Sequence, residues 1–168
     1  LLESDDNTKI IRITHITNSY ANIDFGLLGN EGWVYSTPIS LPLYNNDWWN
    51  INLTRETGSL RLNETSSNQN YILNIGNKNQ FGIEYLESTS IFTEGNISNS
   101  YNQNWNNNDQ LYLGGNESNN SFSGLFQEFR YWIGSIPLED FKDHILNPRS
   151  ISFINETKYL VINYCGTL

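Results

Sequence analysis

Apolar and polar residues alternate with a period of two along much of this chain. Ile11 and Ile13 alternate with Arg12 and Thr14, and Ala21, Ile23, Phe25 and Leu27 alternate with Asn22, Asp24, Gly26 and Leu28. Trp49, Ile51 and Leu53 alternate with Asn50, Asn52 and Thr54, and the pattern returns at Tyr71, Leu73 and Ile75 and at Phe81, Ile83 and Tyr85. Successive side chains on a strand point to opposite faces, so each run predicts a strand with one dry face and one wet face. Clusters of Gly, Asn and Ser separate the runs at roughly ten-residue spacing, as in an antiparallel sandwich or barrel. The last run, Tyr159 to Cys165, is expected to pair near the first strand and to bury the thiol of Cys165.

The stretch from Leu111 to Ser150 carries the sharpest local signals. Leu111, Tyr112 and Leu113 predict a short strand ended by Gly114-Gly115, and Gly124 to Trp132 predicts a long aromatic one. Phe126 and Phe129 are three apart, so a bulge near Gln127-Glu128 is needed to turn both rings inward. Glu128 and Arg130 are then expected to form a structural ion pair. Ser135-Ile136-Pro137 is helix-start chemistry, a hydroxyl residue followed by proline. Leu138, Phe141 and Ile145 lie at i, i+3 and i+7 and form one apolar stripe. Asn147-Pro148 predicts the stop, because the residue before proline avoids the α region. The helix is expected near residues 137–146.

The order Phe122-Ser123-Gly124-Leu125-Phe126-Gln127-Glu128-Phe129-Arg130-Tyr131-Trp132, preceded by Leu-Tyr-Leu-Gly-Gly, resembles the late strands of laminin G-like domains. Trp49-Asn50-Ile51-Asn52-Leu53-Thr54-Arg55, followed by Gly58 and Leu60, is similar to that family's central strand and hairpin. The matches touch roughly half of the chain. The resemblance implies an all-β, antiparallel two-sheet sandwich of the concanavalin A-like jelly-roll type, often of lectin function, with the one short helix. It also implies that loop-end acids could hold calcium.

Composition narrows the partners. The chain has 168 residues, which fits a single domain spanning 1–168. Hydrophobic residues make up 38% and aromatic ones 14%, enough for a core. Only 16% is charged, and Asn fills about one position in six. Asn suits turns better than helices or strands, which fits many short strands joined by polar loops. A net charge of −9 argues against nucleic acid or an anionic membrane as partner. No segment has the length and apolarity of a membrane-spanning helix. Met is absent, even at position 1, so the chain is expected to be a module of a longer protein, with that protein's other domains as neighbours. Six N-x-S/T sequons begin at Asn52, Asn63, Asn96, Asn116, Asn119 and Asn155, close to the number that so much Asn, Ser and Thr supplies by chance.

Catalytic patterns are missing. Retaining glycoside hydrolysis needs two carboxylates about 5 Å apart on one strand face. Glu128 has no acid two residues away, and Glu84 and Glu87 are three apart. A lyase of this fold would need a histidine with Arg, Gln and Tyr neighbours, and Tyr101-Asn102-Gln103 is only a fragment of such a set. There is no Gly-x-Ser-x-Gly elbow and no phosphate loop. Two His and one Cys supply no transition-metal set. No cofactor is expected. Calcium alone has candidate ligands, Asp47 and Asp109 in loops, for which simple solvation is the alternative.

Binding chemistry has better material. Sugars stack their apolar faces on aromatic rings, while neighbouring amides and acids read the hydroxyls. Tyr101, Asn102, Trp105, Asn107 and Asp109 supply both in one loop, and Tyr44-Asn45-Asn46-Asp47-Trp48 supplies a second cluster in which Trp48 should point away from Trp49. The alternative is that these rings only close the ends of the sandwich. The expectation is a non-catalytic, lectin-like adhesion module of an extracellular or virion-surface protein, with glycans or a glycoprotein surface as partner. The other reading is a structural module of a virus particle or surface fibre without a sugar site.

Overall fold

The computed structural model describes residues 2–4, 9–57, 69–93, 111–114, 124–133, 135–148 and 159–167. Side chains are described within these ranges except at residues 3, 4, 57, 69, 93, 111, 131–133 and 159–167. The chain is mostly β, and every strand pairing among the described residues is antiparallel.

One sheet has six strands: β1 (Leu2–Ser4), β2 (Lys9–His15), β3 (Ala21–Gly29), β4 (Gly32–Tyr35), β5 (Ile39–Leu41) and β9 (Leu111–Leu113). Its order is β4-β3-β2-β1-β9, with β5 pairing the other half of β3. A three-stranded sheet joins β6 (Asn50–Thr57), β7 (Gln69–Asn79) and β8 (Gly82–Thr93) in chain order. The alternating runs explain how the two sheets meet. Ile11, Ile23, Phe25, Leu27 and Leu41 from the first sheet and Tyr71, Leu73, Ile75 and Ile91 from the second form one buried cluster. Phe25 and Tyr71 touch across it, their ring centroids 5.3 Å apart. Thr89 also crosses the gap, its hydroxyl donating to the Thr37 carbonyl at 2.8 Å. This is the predicted antiparallel two-sheet sandwich with one short helix.

The helix α1 (Leu138–Leu146) packs on the outer face of the three-stranded sheet. Phe141 and Ile145 of the predicted stripe are buried, while Leu138 is exposed. Gly76 of β7 permits the approach, since a Cβ there would lie 2.5 Å from the Ile145 Cδ1. Lys78 donates to the carbonyl of Leu146, placing a cation at the negative end of the helix. The stop falls at Asn147, whose backbone is extended before Pro148. The start differs in detail from the expected cap. Pro137 occupies the cap position, and the hydroxyl of Ser135 instead accepts a hydrogen bond from Thr54 of β6 at 3.1 Å. A sheet hydroxyl outcompetes the helix end because the same Thr54 oxygen also accepts the Ile136 N–H.

β10 (Gln127–Ile133) and β11 (Tyr159–Thr167) form a two-stranded ribbon. The expected bulge is present: the register shifts between Gln127 and Phe129, and Glu128 has φ of 62°. The expected ion pair is also present, Arg130 to Glu128 at 3.0 Å, both side chains largely buried. Arg130 donates as well to the Pro148 carbonyl, tying the ribbon to the end of α1. Two expectations are corrected. The last strand pairs with β10 rather than the first strand, because β2 and β9 already occupy both edges of β1. Phe81 is 88% exposed in the β7–β8 turn rather than facing the core. The pairing of Asn79 with Gly82 leaves Gln80 and Phe81 as the turn, fixed by the Phe81 N–H donating to the Asn79 side chain. The thiol of Cys165 lies outside the described residues.

The sequon at Asn52 meets a packing limit. Asn52 lies opposite Asn74, which lies opposite Ser88, in a polar row on the outer face of the three-stranded sheet. Its Nδ2, the atom a glycan would use, is buried without a hydrogen-bond partner. The other five sequons lie outside the described residues.

Candidate functional site

Among the described residues, two exposed aromatic clusters stand on the sandwich. The first is the corner formed by the loop between β5 and β6. Asn45 organises it. Its Oδ1 accepts the Asp47 N–H at 3.0 Å and the Trp49 indole N–H at 3.2 Å. Its Nδ2 donates to the Asp47 carboxylate at 2.6 Å. Asn46 follows with φ of 64°, a left-handed conformation that Asn tolerates better than most residues. This tight turn sends the two tryptophans opposite ways. Trp49 packs against the core and lies 5.5 Å from the Tyr85 ring, whereas Trp48 is 52% exposed. Tyr44, also exposed, is tied to the β2–β3 loop by its N–H to the Ser19 carbonyl at 3.1 Å and lies 5.5 Å from the His15 ring. The corner therefore presents Trp48 and Tyr44 beside an amide and a carboxylate whose positions are already fixed.

Of the residues expected from sequence to bind a ligand, Trp48 stands in this corner with the outward orientation expected. Tyr101, Asn102, Trp105, Asn107 and Asp109 lie outside the described residues. Asp47, a calcium candidate, spends its carboxylate on Asn45. Among the described residues, no three His, Cys, Asp or Glu side chains gather as a metal group.

The second cluster was not anticipated from sequence. Trp33 and Tyr35 are two apart on β4 and so share a face. Tyr35 pairs with Gly26 and Trp33 with Leu28, which puts both rings on the outer face of the six-stranded sheet, opposite the core row of Phe25 and Leu27. The rings lie nearly parallel, 15° apart in plane, with centroids 5.7 Å apart. The Tyr35 ring fills the space above Gly26, where a Cβ would meet it at 2.5 Å. The Arg12 guanidinium sits 4.0 Å from its centroid, within cation–π range. Arg12 is itself held by Asp24 through two hydrogen bonds of 3.1 and 2.8 Å, a bidentate pair. The Asp24 hydrogen bond holds Arg12 more firmly protonated than usual, against the opposing effect of burial. The one sequence signal was Trp33-Val34-Tyr35 directly after the Asn30-Glu31-Gly32 turn.

No family model matches the chain, and neither do any curated proteins or solved structures. No described helix is long and apolar enough to cross a membrane.

Proposed function

We infer that this chain is a non-catalytic, carbohydrate-binding module of the laminin G-like, concanavalin A-like type. It serves adhesion in an extracellular or virion-surface protein, with glycans or a glycoprotein surface as partner. The observation that carries this reading is Trp48, half exposed beside the locked Asn45–Asp47 pair. A flat ring offers the apolar face of a sugar a stacking surface, while fixed amide and carboxylate groups read its hydroxyls. Little ordering remains to be done on binding, because the turn has already set the polar groups. The acidic balance favours an uncharged ligand over a polyanion. The Tyr101 to Asp109 loop is assigned to the same function on composition alone, and calcium remains a candidate ligand of Asp109.

A glycan array probed with the full chain tests this. Binding to a defined set of glycans is expected, with Trp48→Ala weakening it about tenfold, or about 1.4 kcal/mol. An array with no binding above background would leave the structural reading, a spacer in a virus particle or surface fibre.

A further inference from the structure

Strand direction gathers exposed apolar side chains at one end of the sandwich. β2 runs into the turn at residues 16–20, where the Ile16 N–H donates to the Tyr20 carbonyl at 3.0 Å, and β3 leaves it. β5 ends at Leu41, paired with Ala21, so the β5–β6 loop starts at the same end. Asn50 pairs with Gly76, so β6 begins there and β7 runs on to the Asn79–Gly82 hairpin. α1 finishes there as well, with Ile145 above Gly76 and Lys78 donating to the Leu146 carbonyl. The two sheets agree on this end, since Phe25 and Tyr71, which touch, lie four residues from Ala21 and five from Gly76. Half of the twelve exposed large apolar side chains among the described residues stand here: Ile16, Tyr20, Tyr44, Trp48, Phe81 and Leu146.

Phe81 is the outlier, 88% exposed at the tip of the longest hairpin. Trp49 meets Tyr85, the partner of Asn77, and the hairpin tip projects about 10 Å past that level. The Asn79 side chain accepts the Phe81 N–H at 2.8 Å, so the turn holds the ring outward.

We propose that this end of the sandwich docks on a zwitterionic bilayer surface of the phosphatidylcholine type, with Phe81 entering the acyl boundary. The proposal goes beyond sugar binding and does not depend on it. Three observations carry it. The residues suit an interface: Phe81, Ile16 and Leu146 are wholly apolar, while Trp48, Tyr44 and Tyr20 are amphipathic rings of the kind that sit at headgroup level. The polar groups nearest the tips are already bonded, the Phe81 N–H to Asn79 and the Leu146 carbonyl to Lys78, which lowers the cost of leaving water. The charge fits as well. Within three positions of the six residues, Asp47, Glu84 and Asp143 stand against Lys78 and Arg149, three acids to two bases, a balance of −1. On a chain of net charge −9 this repels anionic lipid but tolerates a surface whose outermost group is a choline cation. Amides separate the tips, among them Asn45, Asn46, Asn79 and Gln80. A fluid surface admits side chains at separate points, whereas a protein partner needs a continuous packed centre.

Flotation of the full chain with sugar-free phosphatidylcholine vesicles on a density gradient tests the proposal. The chain should float with the vesicles, and Phe81→Ser should lower the bound fraction at least fivefold. Phe92→Ser removes a ring that is 58% exposed on β8 at the far end, opposite Asn70, and should bind within twofold of the parent. Lipid brominated near the headgroup should quench part of the tryptophan emission, and Trp48→Phe should remove that part. Phe81→Trp should retain flotation and add emission quenched by bromine deeper in the acyl chains, a readout that does not need Phe81→Ser to fold. Added phosphatidylserine should weaken binding. A chain that fails to float, an equal loss in Phe92→Ser, or tighter binding with phosphatidylserine overturns the proposal. Glycan binding on the array without flotation overturns this inference alone. Flotation with a silent array leaves it standing and removes the sugar reading.

Discussion

At the Trp48 corner, the hydrogen bonds centred on Asn45 join residues no more than four apart in sequence. At the Trp33–Tyr35 pair, the Tyr35 ring is fixed by partners from two neighbouring strands, and the ion pair behind it spans twelve positions. Both arrangements leave aromatic side chains partly exposed while their polar neighbours are locked. The Asn45 turn is a local device, and the corner reaches beyond it only through Tyr44 to Ser19 and His15 and through Trp49 to the core. The Trp33–Tyr35 pair exists only once the six-stranded sheet has assembled. The comparison teaches that rigidity at an exposed ring has two sources, short-range turn chemistry and long-range register, with different vulnerabilities.

The difference should appear first in stability. Arg12→Met leaves the buried Asp24 carboxylate without its partner and should cost about 2–3 kcal/mol, the low end for a broken buried pair because Arg12 is 42% exposed. Urea denaturation should show the midpoint falling at unchanged slope. Adding Asp24→Leu should recover more than half of the loss, since removing both partners removes the stranded charge. If Arg12→Met costs less than about 0.5 kcal/mol, the value of a typical surface change, the Tyr35 ring is not held by this ion pair.

Asn45→Ala should have a smaller effect, about 1–2 kcal/mol for the lost hydrogen bonds, with the Trp49 indole left lacking its acceptor. Its signature should be motion at Trp48 rather than global unfolding. Tryptophan fluorescence anisotropy should fall, with the Trp33 indole N–H resonance unmoved in nitrogen–proton correlation spectra. A Trp33–Tyr35 pair that loosened along with the corner would show that the two clusters form one unit.

The smallest effect is a pH dependence that should spare both clusters. Burial, with a further push from the Arg130 charge, lowers the pKa of His144 below its ordinary 6.5, against the pull of Asp140 and Asp143. The folded state then prefers neutral imidazole, and the unfolded state binds the proton first on acidification. This contribution is complete above about pH 6.5 and declines as pH falls below it. His144→Gln should flatten that part of the stability profile, and a slope that survives the substitution must come from another group.

Much of the fold was legible because its signals are short. The rows Ala21-Ile23-Phe25-Leu27 and Tyr71-Leu73-Ile75 turned out as the two faces of the core. The stripe of Phe141 and Ile145, the stop at Asn147 and the bulge at Glu128 also follow from neighbours within a few residues. Where sequence reading failed, pairing decided. Phe81 continues a period-two pattern, but a hairpin turn interrupts it. Ser135 is a good cap residue, but Thr54, eighty-one positions away, claims its hydroxyl. The opposed directions of Trp48 and Trp49 were readable from alternation alone.

Sequence by itself determined that this chain builds antiparallel strands with one dry face, a short helix ended by Asn-Pro, and an exposed tryptophan beside an amide and an acid in the chain. Those follow from side-chain period and local backbone preference. Only the tertiary structure decided that Arg12, Asp24, Gly26 and Tyr35 would meet and that Gly76 would receive Ile145. It also buried the sequon nitrogen of Asn52 on the outer face of the three-stranded sheet. Such outcomes depend on strand register, which sums many weak contacts across the sheet and is written in no single stretch of residues.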